Sequence, residues 1–110
     1  MSEAKIQAAI RLALGGRRDC VFWRNNTGIH REGVRVIRYG LANGSSDLIG
    51  MVGGRFTALE VKTATGRVSD SQEAFMRLVN KAGGYACVVR SVEEAEAACD
   101  AAARGDVCTL

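Results

Sequence analysis

The order of periodic segments along the chain predicts an α/β fold, a central mixed β-sheet flanked by helices. Three observations carry the prediction. Apolar residues recur at helical spacing near both ends, two strand-like runs flank Gly53-Gly54, and two Ser-x-x-Gln/Glu patterns each open a helix with a strand between them. The 110 residues amount to a single domain spanning 1–110, and a hydrophobic content of 47% suffices for a real core. Charged residues, 25% of the chain, are scattered among apolar ones, and no Pro-, Ser- or Gln-rich stretch occurs, which excludes a disordered or low-complexity chain.

Residues 2 to 14 read as a helix. Ser2 caps it, Ile6, Ala9, Ile10, Ala13 and Leu14 repeat at helical spacing, and Gly15-Gly16 stops it. Glu3 lies seven residues before Ile10 and so on nearly the same face, which sets a carboxylate at the edge of the core-facing stripe. With Glu3, Lys5 and Arg11 among short side chains, this segment is neither a signal peptide nor a membrane span, and the protein is expected to be soluble and cytoplasmic, without a membrane partner.

Cys20 to Trp23 reads as a strand, with Phe22 and Trp23 expected in the core. The long segment from Arg24 to Ser46 is rich in Asn, Gly and Arg, and residues 34 to 39 within it read as a strand or ribbon. It carries Arg24, Arg31, Arg35 and Arg38 beside His30 and Tyr39, and a long loop of this kind within a compact domain is usually functional or mobile; under the family resemblance given below it becomes the candidate for contact with the substrate or for an interface between copies. His30 has no second histidine to share a metal with, so it reads as a loop or phosphate-contacting residue.

Asp47 to Val52 and Arg55 to Lys62 form a hairpin around Gly53-Gly54. Ser69 with Gln72 opens a helix containing Ala74, Phe75, Leu78 and Val79, which Gly83-Gly84 ends; Tyr85 to Arg90 is a strand; Ser91 with Glu94 starts an alanine-rich helix running to Arg104, before Gly105.

The formal charge of +3 is modest, but arginines far outnumber the three lysines, Lys5, Lys62 and Lys81. The planar guanidinium holds a phosphate with two hydrogen bonds, so this bias fits a phosphate-rich partner as well as it fits a solvated surface. Cys20, Cys87, Cys99 and Cys108 stand far apart without a C-x-x-C pair, which suggests reduced thiols in place of a zinc site or a disulfide framework.

The hairpin holds the chemistry. If Gly53 and Gly54 are the turn residues, Val52 pairs with Arg55, and the same register brings Asp47 opposite Glu60. Side chains facing each other across an antiparallel pair stand roughly 4.5 to 5.5 Å apart, and like charges so placed repel unless something compensates. Alternation puts Glu60 and Lys62 on one face with Phe56 and Ala58, and Leu59 and Val61 on the other. Asp47, Glu60 and Lys62 therefore converge. Hard carboxylate ligands of this kind suit Mg²⁺ or Mn²⁺, and a nearby lysine can orient or deprotonate an attacking water, which implies phosphodiester hydrolysis. A purely structural account, with Asp47 as a turn residue and Glu60 paired to Lys62, explains each residue singly but not why two acids meet beside a lysine.

Gly44-Ser45-Ser46-Asp47, twelve further residues, then Glu60-Val61-Lys62 resembles the PD-(D/E)XK nuclease signature, with Ser46 in place of the proline. The Glu-bearing first helix, the glycine before the aspartate and Ser69-x-x-Gln72 after the lysine resemble the VRR-NUC family over almost the whole chain. The resemblance implies a restriction-endonuclease-like αβββαβ core. It implies Asp47, Glu60 and the backbone carbonyl of Val61 as metal ligands, Glu3 joining through water, Lys62 as the catalytic lysine, and Gln72 as a further site residue that reads equally well as a capping-box glutamine. It also implies a stand-alone phage or bacterial enzyme acting as a homodimer on branched DNA such as four-way junctions. The expected function is thus a Mg²⁺- or Mn²⁺-dependent DNA endonuclease. The alternatives are a non-catalytic nucleic-acid-binding module on the same scaffold, and a restriction-type enzyme with base readout.

Overall fold

A computed structural model of the chain describes residues 1–25, 28–33, 35–39 and 44–109, with residues 28–32 and 35–39 described by their backbone alone. Helix α1 (Glu3–Gly15) starts at the expected cap, where Ser2 Oγ accepts from the Lys5 N–H at 3.2 Å, and it buries Ile6, Ile10 and Leu14 along one ridge. Strands β1 (Cys20–Arg24), β2 (Gly28–Glu32), β3 (Arg35–Tyr39), β4 (Leu48–Val52) and β5 (Arg55–Val61) follow, then α2 (Asp70–Lys81), β6 (Tyr85–Val89) and α3 (Val92–Arg104).

The central sheet has the order β1-β4-β5-β6; β1, β4 and β5 run antiparallel and β6 parallel to β5, so the sheet is mixed. Helix α2 makes the crossover that a parallel return requires. Among the described residues strands β2 and β3 pair only with each other, from Gly28 opposite Tyr39 to Glu32 opposite Arg35, as a ribbon inserted between β1 and β4. The side chains of His30, Arg31, Arg35, Arg38 and Tyr39 lie outside the described residues. Without the ribbon, the chain order up to β6 is αβββαβ.

Period-two alternation divides the core. Leu48, Val52, Leu59 and Val61 face α1 and α3, meeting Ile6, Ile10, Leu14, Ala95, Ala98 and Cys99; the small alanines let α3 lie close to the sheet. Ile49, Ala58 and Ala86 face α2, where Met76 is wholly buried, flanked by Phe75 and Val79. Leu78 of the same helix stays 67% exposed. All four cysteines are free, and burial pushes the thiols of Cys87 and Cys99 up to about 12, where they are poor nucleophiles. No helix among the described residues is long and apolar enough to cross a membrane.

One core expectation fails. Phe22 packs against the α1 side of the core, but Trp23, its neighbour on the opposite face, is 49% exposed. Strand β1 is the sheet edge, and α2 covers β5 and β6 only, so the α2-side face of β1 has no helix over it among the described residues. Val21 and Met51 share that uncovered face across β1 and β4 and are likewise exposed, and Phe56, next in the row on β5, is exposed beside the end of α2.

The join between β1 and β4 depends on Gly50. A Cβ there would meet the Val21 carbonyl oxygen at 1.9 Å, and because the neighbour is backbone it has no side-chain freedom to give way. Gly50→Ala is therefore expected to cost about 3 kcal/mol, read as a lowered midpoint in urea unfolding, from overpacking at an edge-strand contact. An unchanged midpoint would mean that β1 is held elsewhere.

Candidate active site

Gly53 and Gly54 both adopt positive φ, 55° and 83°, as a two-residue primed turn requires. They fix the register from Val52 opposite Arg55 to Leu48 opposite Leu59. Asp47 stands one residue beyond the last ladder pair, outside β4, which begins at Leu48 rather than at Asp47 as expected. Its carboxylate Oδ2 accepts the Val61 N–H at 2.9 Å, taking over from the ladder at the point where the strands end. This bond turns Asp47 towards the β5 residues that carry the rest of the site.

Glu60 is 1% exposed, an unusual position for a carboxyl group. Its Oε2 accepts from Gln72 Nε2 at 3.3 Å, while Oε1 is buried with no hydrogen-bond partner among the described residues. Burial first, then the hydrogen-bonding carboxyl of Asp47 and its charge, push Glu60 up to about 9; Lys62 acts in the opposite sense, and Glu3 adds to the rise. Gln72 and Asp47 thus meet at one buried carboxyl group, while no ion pair among the described residues joins Lys62 or Glu3 to it.

Gln72 has two partners because an amide has two ends. Its Oε1 accepts the Ser69 N–H at 2.9 Å and the Ser69 hydroxyl accepts the Gln72 N–H at 3.2 Å, a complete capping box, while Nε2 faces Glu60. At α3 the expected box is displaced: Ser91 accepts from the Glu94 N–H, but the Glu94 carboxylate takes the Arg90 N–H.

Two supporting residues escaped the sequence reading. Asn25 donates through Nδ2 to Ser45 Oγ at 2.7 Å and to the Ser46 carbonyl at 3.0 Å, while its N–H bonds the Asp47 carbonyl at 2.8 Å. It ties the end of β1 to the approach to Asp47. Arg90 donates to the carbonyls of Thr63 and Gly66 and fixes the loop that follows Lys62. Gly44 belongs to the same support: a Cβ there would meet the Ser71 carbonyl oxygen at 2.4 Å, and its φ is +85°. Only glycine lets this loop lie against the start of α2.

The donor set fits a hard divalent cation in part. Two carboxyl groups face each other, one with an orphaned buried oxygen, and the Val61 carbonyl leaves the same edge of β5 as the N–H that meets Asp47. Among the described residues no three His, Cys, Asp or Glu side chains group closely enough to hold an ion by themselves. Such a cation would therefore need backbone, water or substrate oxygens as well, the usual condition of Mg²⁺.

A mixed αβββαβ core, with acids and a lysine at the open end of its central hairpin, defines an α/β protein of the nuclease-like class. The family model of the VRR-NUC domain matches residues 1–93, and the chain belongs to that family, whose fold is of the PD-(D/E)XK type. Membership makes it a nuclease-type, DNA-processing protein. No curated protein matches the chain.

Glu60 binds its proton more tightly folded than unfolded, at about 9 against 4.5. The folded state then carries this contribution in full below about pH 4.5 and loses it as pH rises towards 9. In chelator, Glu60→Gln is expected to flatten the fall of stability across that window and to melt roughly 5 °C or more above the wild type at its alkaline end. Parallel melting curves for the two proteins from acid to alkaline pH would show that Glu60 is not the titrating group.

Proposed function

We propose that this protein is a metal-dependent DNA endonuclease hydrolysing phosphodiester bonds, with Asp47, Glu60 and the Val61 carbonyl holding Mg²⁺ or Mn²⁺. The observation that carries the proposal is the buried Glu60 carboxyl, with one oxygen unpartnered and a second acid against it. A structural role alone gives no reason to keep two acids there, because exchanging one of them for a neutral residue would relieve both repulsion and desolvation.

When bound, a divalent cation supplies Lewis acidity towards a phosphoryl oxygen and lowers the pKa of a neighbouring water. The chain's own groups do the rest. Asp47, held by the Val61 N–H, and Glu60, held by Gln72, present fixed oxygens that need no rearrangement. Lys62, two residues along the strand, orients the attacking water and takes or returns its proton at Nζ. Glu3 of α1 would join in holding the cation through water. Arg24, exposed at the end of β1, contacts DNA phosphate together with Arg31, Arg35 and Arg38 of the ribbon.

The same reading makes the substrate branched DNA, such as a four-way junction, and the active species a homodimer, since cutting two strands takes two sites. The exposed row of Val21, Met51 and Phe56 with Trp23, at an edge strand next to Arg24, supports self-association. We place the enzyme in the cytoplasm of a bacterium or of a phage-infected cell, where such DNA is its target.

Purified protein is expected to cut labelled four-way-junction DNA in Mg²⁺ or Mn²⁺ faster than linear duplex, and not in EDTA. Asp47→Ala and Lys62→Ala should each slow cleavage by about 10³-fold. Binding without cleavage in every metal would instead indicate a DNA-binding module, and cleavage that survives both substitutions would place the chemistry elsewhere. Trp23→Glu is expected to shift the dimer to monomer in sedimentation analysis; an unchanged dimer would move the interface off the uncovered sheet face.

A further inference from the structure

We propose that the groove between α1 and the end of β1 is a phosphate track that carries the DNA strand away from the scissile bond, with Gln7 and Arg11 as its unassigned contacts beside Arg24. The inference rests on the nuclease reading and extends it to residues that no motif marks. The groove has a volume of about 420 Å³ and is lined by Glu3, Ala4, Gln7, Ala8, Arg11 and Arg24. Glu3, which the nuclease reading assigns to the site, lines this groove together with Arg11 and Arg24.

Glu3, Gln7 and Arg11 stand four residues apart, which places them on one slanting ridge of α1 with a rise of about 6 Å between successive members. The ridge runs alongside Ile6, Ile10 and Leu14, and those three are buried against the sheet. Burial of one ridge therefore fixes the position of the other. Ala4 and Ala8 line the groove between the polar residues with short side chains that leave room for a backbone to lie in it.

The charge along the track changes in the useful direction. At its inner end the carboxylate of Glu3 belongs with the cation-binding acids, whereas Arg11, two helical turns away, and Arg24 on the facing strand are exposed cations. Among the described residues neither arginine pairs with a carboxylate. The contrast is with Arg17, Arg55, Arg77, Arg90 and Arg104, all committed to carboxylates or carbonyls of the fold. A phosphodiester next to the one being cut thus meets Gln7 as an uncharged donor, and the one beyond it meets two guanidinium groups.

The test uses the full chain and its Arg11→Ala, Arg11→Lys, Gln7→Ala and Arg18→Ala variants. Arg18 is exposed and off the groove, and its substitution removes the same charge. Affinity for duplex and four-way-junction DNA is measured in EDTA across a salt series, and KM and kcat are measured in Mg²⁺. Arg11→Ala is expected to raise Kd and KM by about 5- to 10-fold, to leave kcat within about twofold, and to lower the slope of log Kd against log salt by about one. Arg11→Lys should recover most of the loss and Arg18→Ala should match the wild type, with equal melting temperatures throughout. If the wild type cuts DNA but Arg11→Ala behaves as Arg18→Ala does, the track is overturned and the nuclease reading survives. A wild type that neither binds nor cuts DNA overturns both.

Discussion

Two carboxyl groups set face to face at the end of a hairpin, one of them out of contact with solvent, are the constraint around which this molecule is arranged. At a separation of about 5 Å and an effective dielectric constant near 20, two negative charges repel by roughly 3 kcal/mol, more than one ordinary neutral hydrogen bond returns. The bonds from Val61 to Asp47 and from Gln72 to Glu60 orient the pair without neutralising it. Burial and the facing Asp47 carboxyl together push the Glu60 carboxyl well above the usual carboxylate range.

The supports of that pair come from distant parts of the chain and converge because of the topology. Strand β5 lies between β4 and β6, so its end is flanked on both sides, and the parallel return through α2 brings the start of that helix back over Glu60. Asn25 reaches the Asp47 approach from the far end of β1, and Arg90 reaches the loop after Lys62 from the end of β6. Each is a side chain bonded to backbone carbonyls. Such bonds fix where a loop runs without depending on the loop's own residue types, and they let a site built at strand ends be as well positioned as one built within a strand.

This explains what could be read from the residues in advance. The hairpin register followed from counting outwards from Gly53-Gly54, because a period of two admits no intermediate error. The Ser-x-x-Gln/Glu patterns located α2 and α3 from their first turns, although the reciprocal box closes at α2 and not at α3. Trp23 was misplaced because alternation says that neighbours face opposite sides of a sheet, but not which side of an edge strand a helix will cover. Asn25 and Arg90 left no signal, since bonds across twenty or more residues have no periodicity. Arginine content was a poor guide for the same reason: Arg17, which ties Asp19 to Asp100, and Arg55, which gathers the carbonyls of Gly83, Gly84 and Ala102, serve the fold and not a ligand.

Helix α1 joins these considerations. Its apolar ridge is seated in the larger core cluster, and the adjoining ridge begins at Glu3, which lines a groove with Arg11 and Arg24. The two ridges are about 40° to 60° apart around one helix axis, so the polar ridge inherits the precision of the packed one. A shift of α1 along the sheet would move Ile6, Ile10 and Leu14 out of their contacts, so Glu3, Gln7 and Arg11 are held where that packing puts them. Core packing here therefore acts as the positioning device for charge, and the helix that closes the hydrophobic cluster also decides where negative potential ends and positive potential begins.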